Sequence, residues 1–364
     1  MNKQSIKLAL VLGTRPEIIK LSSIIRLCHS ERINHFILHT NQHYSPALDQ
    51  IFFKQLKLEK PRYNLNCGSA THGKQTGEML TKIEEILLKE KPTHVIVQGD
   101  TNSVLAGALA ASKLGIKICH VEAGLRSYDR AMPEEINRVL VDHISDYLFC
   151  PTQVQKKILQ KEGIDSQKIH VVGNTIVDAV YQTEDIFGTV KNKFGISPDS
   201  YILFTMHRPS NVDDKKMLKK HLENISVLAK ENKLKVIFPA HPRTVGKISA
   251  FKIRVPDNIQ LIDPVGFLEM IALEKNAKII ATDSGGIQEE GCILGTPTLN
   301  LRDNTERPEC IKVGASKIVG SDLNLMRSGY TFYLNKKSYW KNPFGDGQAA
   351  SKILDIINKT KFNQ

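Results

Sequence analysis

Arg15, His43, Asp100 and Glu122 stand out in this 364-residue chain because each closely follows a short apolar run of strand type. The runs are Ile6 to Leu12, His35 to Thr40, His94 to Val97 and Ile116 to Val121. Two carboxylates and a histidine are proton carriers. Arg15 and the nearby Lys20 add positive charge that suits a phosphorylated substrate. Any one of these residues alone reads more readily as a helix cap or a loop charge, but four at successive strand ends point to one site. Pro133 opens a further helix that carries Glu134 and Arg138 four residues apart on one face. As a solvated pair they would contribute ~0.5 kcal/mol. Aimed into a site, the arginine would hold or tune the carboxylate.

The second half of the chain carries a different device. Ile279 to Thr282 is strand-like, and Asp283-Ser284-Gly285-Gly286 turns it sharply into a helix start at Ile287. Two glycines there let the backbone approach a ligand, and the free N–H groups and dipole of the helix start favour a phosphate. Glu290 lies about one turn inside that helix, within reach of the hydroxyls of an attached ribose, and Gly295 reads as the C-cap. A lone Ser-Gly-Gly turn is weak by itself. His207 and His241 strengthen it, because both fall at the ends of strand-like runs, Tyr201 to Thr205 and Lys235 to Phe238.

Strands alternating with helices through short links predict an α/β fold, doubly wound on parallel sheets, with ligands beyond the carboxyl ends of the strands. Length and 41% hydrophobic content fit two domains. Residues 1–173 with 345–364 are predicted as one and 174–344 as the other, the helix Ala349 to Ile357 crossing back to the first. The first strand–turn–helix reads Gly13-Thr14-Arg15-Pro16-Glu17 and lacks the glycine fingerprint of dinucleotide folds, so no nicotinamide is expected. Six cysteines without CxxC pairing predict reduced thiols and no metal. The net charge of +12 is spread over lysine-bearing helix faces with only 6% aromatic residues, which argues against nucleic acid. No apolar run approaches the ~20 residues of a membrane span, and a cytoplasmic protein is expected.

A nucleotide-diphosphate cradle, carboxylates and no redox cofactor fit a sugar carried on UDP. Its C2 hydrogen has no neighbouring carbonyl and is not acidic. Departure of the C1 diphosphate builds cationic character at C1, which makes the C2 proton removable by a carboxylate. Cations and N–H groups stabilise the leaving group, and a proton returned to the opposite face inverts C2.

The motifs GTRPEIIK (13–20), QGDT (98–101), HVEAGLRS (120–127), MPEEINR (132–138), HRPSN (207–211), DSGGIQEE (283–290) and ERPE (306–309) run through both halves in order. Together they resemble the non-hydrolysing UDP-N-acetylglucosamine 2-epimerases. The resemblance implies two Rossmann-like domains of glycosyltransferase-B type, with the active site in the interdomain cleft, and a homodimer. It also implies interconversion of UDP-N-acetylglucosamine and UDP-N-acetylmannosamine through elimination of UDP to 2-acetamidoglucal and re-addition, for cell-surface polysaccharide precursors. Asp100, Glu122, Glu134 and His207 match the family's catalytic group, with Arg138 beside them. Arg15, His241, Ser284, Gly285, Gly286, Glu290 and Arg307 match its UDP contacts, with Lys20 near the site. Gln42 and His43 resemble residues that hold a second, activating UDP-N-acetylglucosamine in bacterial relatives. HGKQTGEML (72–80) and HRPSN depart from the bacterial pattern, and HGKQTGEML with MPEEINR is similar to relatives acting on a UDP-diacetamido-glucuronate. A 2-epimerase of that sugar, a transferase on the same fold and a non-enzymatic nucleotide-sugar sensor are the competing readings. Hydrolysing epimerases rank lower because their first turn carries a different motif.

Overall fold

A computed structural model describes residues 6–42, 52–182, 187–305, 307–335 and 340–359. The chain divides into two units, Met1–Gln182 with Phe344–Gln364, and Thr183–Pro343. Each is a parallel sheet flanked by helices.

In the first unit the strands are β1 (Lys7–Leu12), β2 (Asn34–His39), β3 (Tyr63–Asn64), β4 (His94–Gln98), β5 (Lys117–Val121), β6 (Tyr147–Cys150) and β7 (Ile169–Val171). They lie in the order β3-β2-β1-β4-β5-β6-β7. Their apolar residues are buried almost without alternation, as expected of strands covered on both faces by helices. The chain runs outward from β1 to β3, then returns to lay β4 on the other side of β1. The carboxyl ends of β1 and β4 are therefore neighbours with their connections leaving in opposite directions, which opens a crevice beyond them. The two-residue β3 had no signal in the sequence; it pairs with the end of β2 only through Leu38↔Tyr63 and His39↔Asn64.

The helix Arg15–Ser30 buries Ile18, Leu21, Ile24, Ile25 and Cys28, a spacing of three and four that keeps one face on the core. The helix His72–Glu90 buries Met79, Ile83 and Leu87 at a spacing of four, which keeps one face on the core. The boundary between units falls after the helix Thr175–Tyr181, not before it, because that helix packs on Arg15–Ser30 and on the C-terminal helix Ala349–Lys359. Asp178 ties these pieces together: its carboxylate accepts the N–H groups of Ala349 at 3.2 Å and Ala350 at 2.9 Å, satisfying donors that a helix start leaves open.

The second unit contains β8 (Tyr201–Thr205), β9 (Lys235–Pro239), β10 (Ile259–Ile262), β11 (Ile279–Thr282), β12 (Thr298–Asn300) and β13 (Ser316–Ile318) in the order β10-β9-β8-β11-β12-β13. The plan repeats that of the first unit, so the carboxyl ends of β8 and β11 form its switch point. Phe204 and Phe238 meet edge to face at 4.6 Å in its core. Among the described residues no helix is long and apolar enough to cross a membrane. All six cysteines are free thiols.

The helix Gly285–Leu294 lies so close to its sheet that a Cβ on Gly291 would stand 2.8 Å from Thr298 Oγ1 and 2.9 Å from Ile280 Cδ1. Gly291→Ala must therefore push helix and strands apart. A loss of about 1–3 kcal/mol in urea unfolding is expected; an unchanged midpoint would show that the contact yields freely.

Candidate functional site

The turn after β1 is held by a buried carboxylate. Glu17, in the first turn of the helix Arg15–Ser30, accepts the N–H groups of Gly13 at 2.5 Å and Thr14 at 3.0 Å through one oxygen. Its other oxygen takes the Thr101 hydroxyl at 2.5 Å. One side chain thus joins the turn after β1 to the turn after β4. Gly13 has no room for a side chain there, since a Cβ would overlap Thr40 Oγ1 and Ser103 Oγ. Arg15 projects outward with its guanidinium 5.8 Å from the centre of the Phe52 ring.

Asp100 and Glu122 follow the ends of β4 and β5, whose last residues pair as Gln98↔Val121. Arg138 donates to Asp100 Oδ2 through Nε at 2.8 Å and through Nη2 at 2.6 Å. Its remaining arm reaches Glu135 at 2.8 Å. The expected Glu134–Arg138 pair does not form. Glu135 takes the arginine instead, because its carboxylate is already fixed by the N–H groups of Ser127 and Tyr128. Burial opposes ionisation of Glu135, yet those N–H groups and Arg138 hold its carboxyl below the usual range. Glu134 is left exposed at the helix start.

Glu122 is buried, and its oxygen Oε2 receives both Lys20 Nζ and Gln98 Nε2 at 2.5 Å. Its backbone has φ 69°, a left-handed conformation that a glutamate adopts at a cost. The N–H groups of Glu122 and Ala123 both go to the carbonyl of Phe149 on β6, which turns the chain sharply and aims the side chain past the strand end.

In the second unit the turn Asp283–Gly286 is organised from beneath. Asp283 is buried beside β8 and accepts the N–H of Arg208 at 2.9 Å and the Asn211 amide at 3.1 Å. His207 Nδ1 stands 3.2 Å from its Oδ1. Burial pushes the Asp283 carboxyl up, but His207 and the Arg208 N–H bring it below its ordinary value. The rings of His207 and His241 lie 5.9 Å apart. Ser284 is the N-cap of the helix Gly285–Leu294, its hydroxyl accepting the Ile287 N–H at 3.4 Å. A Cβ on Gly286 would meet nothing nearer than Ser284 Oγ at 3.8 Å. Packing gives no reason for a glycine at 286; close approach of a ligand does.

Arg307 pairs with buried Glu289 at 3.4 Å. Glu290 stands beside Glu274, which is fully buried on the helix Phe267–Asn276; burial and the Glu290 charge drive the Glu274 carboxyl well above the usual range. Gln42 is committed within the first unit, its side-chain oxygen accepting the N–H and hydroxyl of Ser103 at 2.9 Å and 2.8 Å. His43 lies outside the described residues. His72 and Gln75, from the HGKQTGEML segment, meet the Asn102 amide at 3.1 Å and 2.9 Å and so brace the helix start after Asp100.

Sequence reasoning missed Glu17, Gln98, Glu135 and Asp283. Asp283 had a signal in its place at a strand end, and Glu17 had one in its spacing three residues after Thr14, a capping box. Gln98 meets a partner 24 residues away, and Glu135 is fixed by a loop seven and eight residues before it. No cluster of three or more metal-ligating side chains occurs among the described residues.

The family model described as UDP-N-acetylglucosamine 2-epimerase matches residues 26–358. The UDP-N-acetylglucosamine 2-epimerase of Methanocaldococcus jannaschii is 53% identical over 98% of this chain and 100% of its own length. A crystal structure of the enzyme from that organism, in complex with UDP-GlcNAc and UDP, superposes with a TM-score of 0.88 at 54% identity, covering 97% of this chain and 100% of that one. The UDP-2,3-diacetamido-2,3-dideoxy-D-glucuronate 2-epimerase of Pseudomonas aeruginosa is 40% identical over 97% of this chain and 99% of its own length.

Glu17 gives the site a pH signature. Burial pushes its carboxyl up to about 7 from 4.5, against the Thr101, Gly13 and Thr14 donors that favour the charged form. A raised carboxyl pKa means that the contribution to stability is complete below pH 4.5 and is lost as pH rises through 7. The unfolding free energy of the protein, minus that of Glu17→Gln, should therefore fall by roughly 3 kcal/mol between those limits. A pH-independent difference would show that Glu17 stays ionised in the fold.

Proposed function

The chain belongs to the UDP-N-acetylglucosamine 2-epimerase family, and on that premise we propose that it interconverts UDP-N-acetylglucosamine and UDP-N-acetylmannosamine without hydrolysis. The observation that carries this reading is the pair of carboxylates past adjoining strand ends, Asp100 on Arg138 and Glu122 on Lys20. A C2 inversion needs one group to take a proton and another to give one back.

Cleavage of the C1–O bond sends its electron pair to the UDP β-phosphate and leaves cationic character at C1. A carboxylate then removes the C2 proton, and the C2–H electrons form the C1–C2 double bond of 2-acetamidoglucal. Delivery of a proton to the opposite face of C2, with attack of the UDP oxygen at C1, gives the epimer. Asp100 and Glu122 move the protons, with Glu134 and His207 in the same group and Arg138 orienting Asp100. Arg15, Lys20, His241, Arg307 and the N–H groups of Ser284, Gly285 and Gly286 hold the diphosphate, where charge grows as the bond breaks. Glu290 takes the ribose hydroxyls.

We further propose a homodimer in the cytoplasm, supplying an aminosugar for cell-surface polysaccharide. Higher identity to the M. jannaschii enzyme than to the diacetamido-glucuronate enzyme favours the simpler sugar. The similarity of HGKQTGEML to that second group keeps its substrate as the alternative, and turnover of a panel of UDP sugars decides between the two.

Turnover in heavy water should yield an equilibrium of two UDP sugars with deuterium at C2, read by proton NMR; complete conversion to free sugar and free UDP would mean a hydrolysing enzyme. Asp100→Asn and Glu122→Gln should each lower kcat about a hundredfold or more while UDP still binds. Near-normal rates would remove both from the mechanism. Gly286→Ala should fold normally yet weaken UDP binding by roughly tenfold, about 1.4 kcal/mol by titration calorimetry. Undiminished affinity would sink the cradle assignment.

A further inference from the structure

His120, on β5 two residues before Glu122, is almost wholly buried, and its ring reaches in two directions. Nδ1 is 2.7 Å from Asp142 Oδ1, and Nε2 is 2.8 Å from the carbonyl oxygen of Gly99. A peptide carbonyl only accepts. Asp142 only accepts as well, because its other oxygen already receives Arg126 Nη1 at 2.7 Å and the Gly124 N–H at 3.2 Å. Both ring nitrogens must therefore carry hydrogen, since either neutral tautomer would set a lone pair against a buried oxygen.

The geometry points to His120 as a doubly protonated positioning residue, a buried imidazolium that clips together the turns carrying Asp100 and Glu122. Gly99 is held at both ends by β5: its N–H donates to Val121 O at 3.1 Å and its carbonyl receives His120. Its φ of 85° is a conformation that only glycine takes easily, so the carbonyl direction depends on that clip. Asp100 is the next residue. On the other side, Asp142 closes the turn after Glu122 through the Gly124 N–H. Four residues on its helix separate Asp142 from Arg138, the partner of Asp100.

The surroundings keep the proton in place. Burial alone would drive His120 neutral, but Asp142, the Gly99 carbonyl and the charge of Asp100 raise its pKa above the ordinary value. The charged and titratable groups around the pair are Asp100 beyond β4, Arg126 after β5, Cys150 on β6, Lys156 on the helix Gln153–Lys161 and Glu162 just after that helix. Arg126 bridges Asp142 and Glu162, donating to the latter at 2.8 Å and 2.6 Å. Burial pushes the Cys150 thiol up to about 12, so it stays neutral. His120 and Arg126 offset Asp142 and Glu162, and Arg138 offsets Asp100.

This inference rests on the reading that Asp100 and Glu122 move the C2 protons, but its first test does not. In the full-length protein labelled with 15N-histidine, the His120 ring should show two protonated nitrogens at pH 7, where an ordinary imidazole is mostly neutral. A neutral-tautomer spectrum at pH 7 would overturn the assignment, whatever reaction the enzyme performs.

The second test is kinetic. His120→Asn, which keeps one donor, should lower the rate of C2 hydrogen exchange tenfold or more while UDP affinity changes less than twofold. His120→Phe should lose more. In Asp142→Asn the ring loses its counter-charge, so the alkaline limb of kcat should move to lower pH. A folded His120→Asn with the wild-type exchange rate, or an Asp142→Asn profile that does not move, would overturn the positioning role. Absence of C2 exchange in the wild type would instead strike the proposed reaction and leave the protonation result standing.

Discussion

Parallel strand pairing is the constraint on which the rest of this protein depends. Every strand pair in both sheets, among the described residues, runs parallel. Each chain segment must then leave its sheet at the same edge as its neighbours and return through a helix. That edge collects strand-end turns and helix starts, with N–H groups that the helices themselves cannot satisfy. Gly13, Asp100, Glu122, His207, His241 and Ser284 all occupy such turns. The switch points at β1/β4 and β8/β11 add room, because the connections on either side depart in opposite directions.

Turns of this kind are mobile unless something else restrains them, and here the restraint is a set of buried titratable side chains. Glu17 joins the first turn to the one after β4, His120 and Asp142 join the turns after β4 and β5, and Asp283 gathers the loop after β8 onto β11. Removing one member of such a group strands its partners without water, which costs far more than the intact contact contributes. The arrangement is therefore rigid by default. It also tolerates a glutamate at φ 69° immediately beyond β5, since the surrounding bonds over-determine that conformation.

The two ends of the proposed reaction are supported by different physics. Proton carriers need carboxylates whose charge is balanced but whose position is exact to within a fraction of an ångström, and Asp100 and Glu122 have cations for partners. A leaving diphosphate needs fixed dipoles and space, and the helix start at Ser284 with an unobstructed Gly286 offers both. Buried Glu274 stands behind Glu290, the residue proposed for the ribose hydroxyls.

Much of this was legible in the residues. Apolar runs closed by polar or turn residues mark strand ends by local composition alone, so β1, β2, β4, β5, β8, β9 and β11, the parallel class and the residues beyond those strand ends follow from one-dimensional pattern. The strand Tyr63–Asn64 is too short for any pattern and exists because the edge of β2 is available to pair with it. Partner choice was not legible. Glu134 and Arg138 have good helical spacing, yet Arg138 bonds Glu135 and Asp100, because Asp100 arrives from another strand and Glu135 is already fixed by the loop before it. Likewise His120, inside an apolar strand, reads as core until Asp142 and the Gly99 carbonyl meet its two nitrogens. Periodicity reports which face a side chain occupies; only the assembled sheet decides which charges share that face, since hydrogen bonds act over three ångströms and those partners lie twenty or more residues apart in the chain.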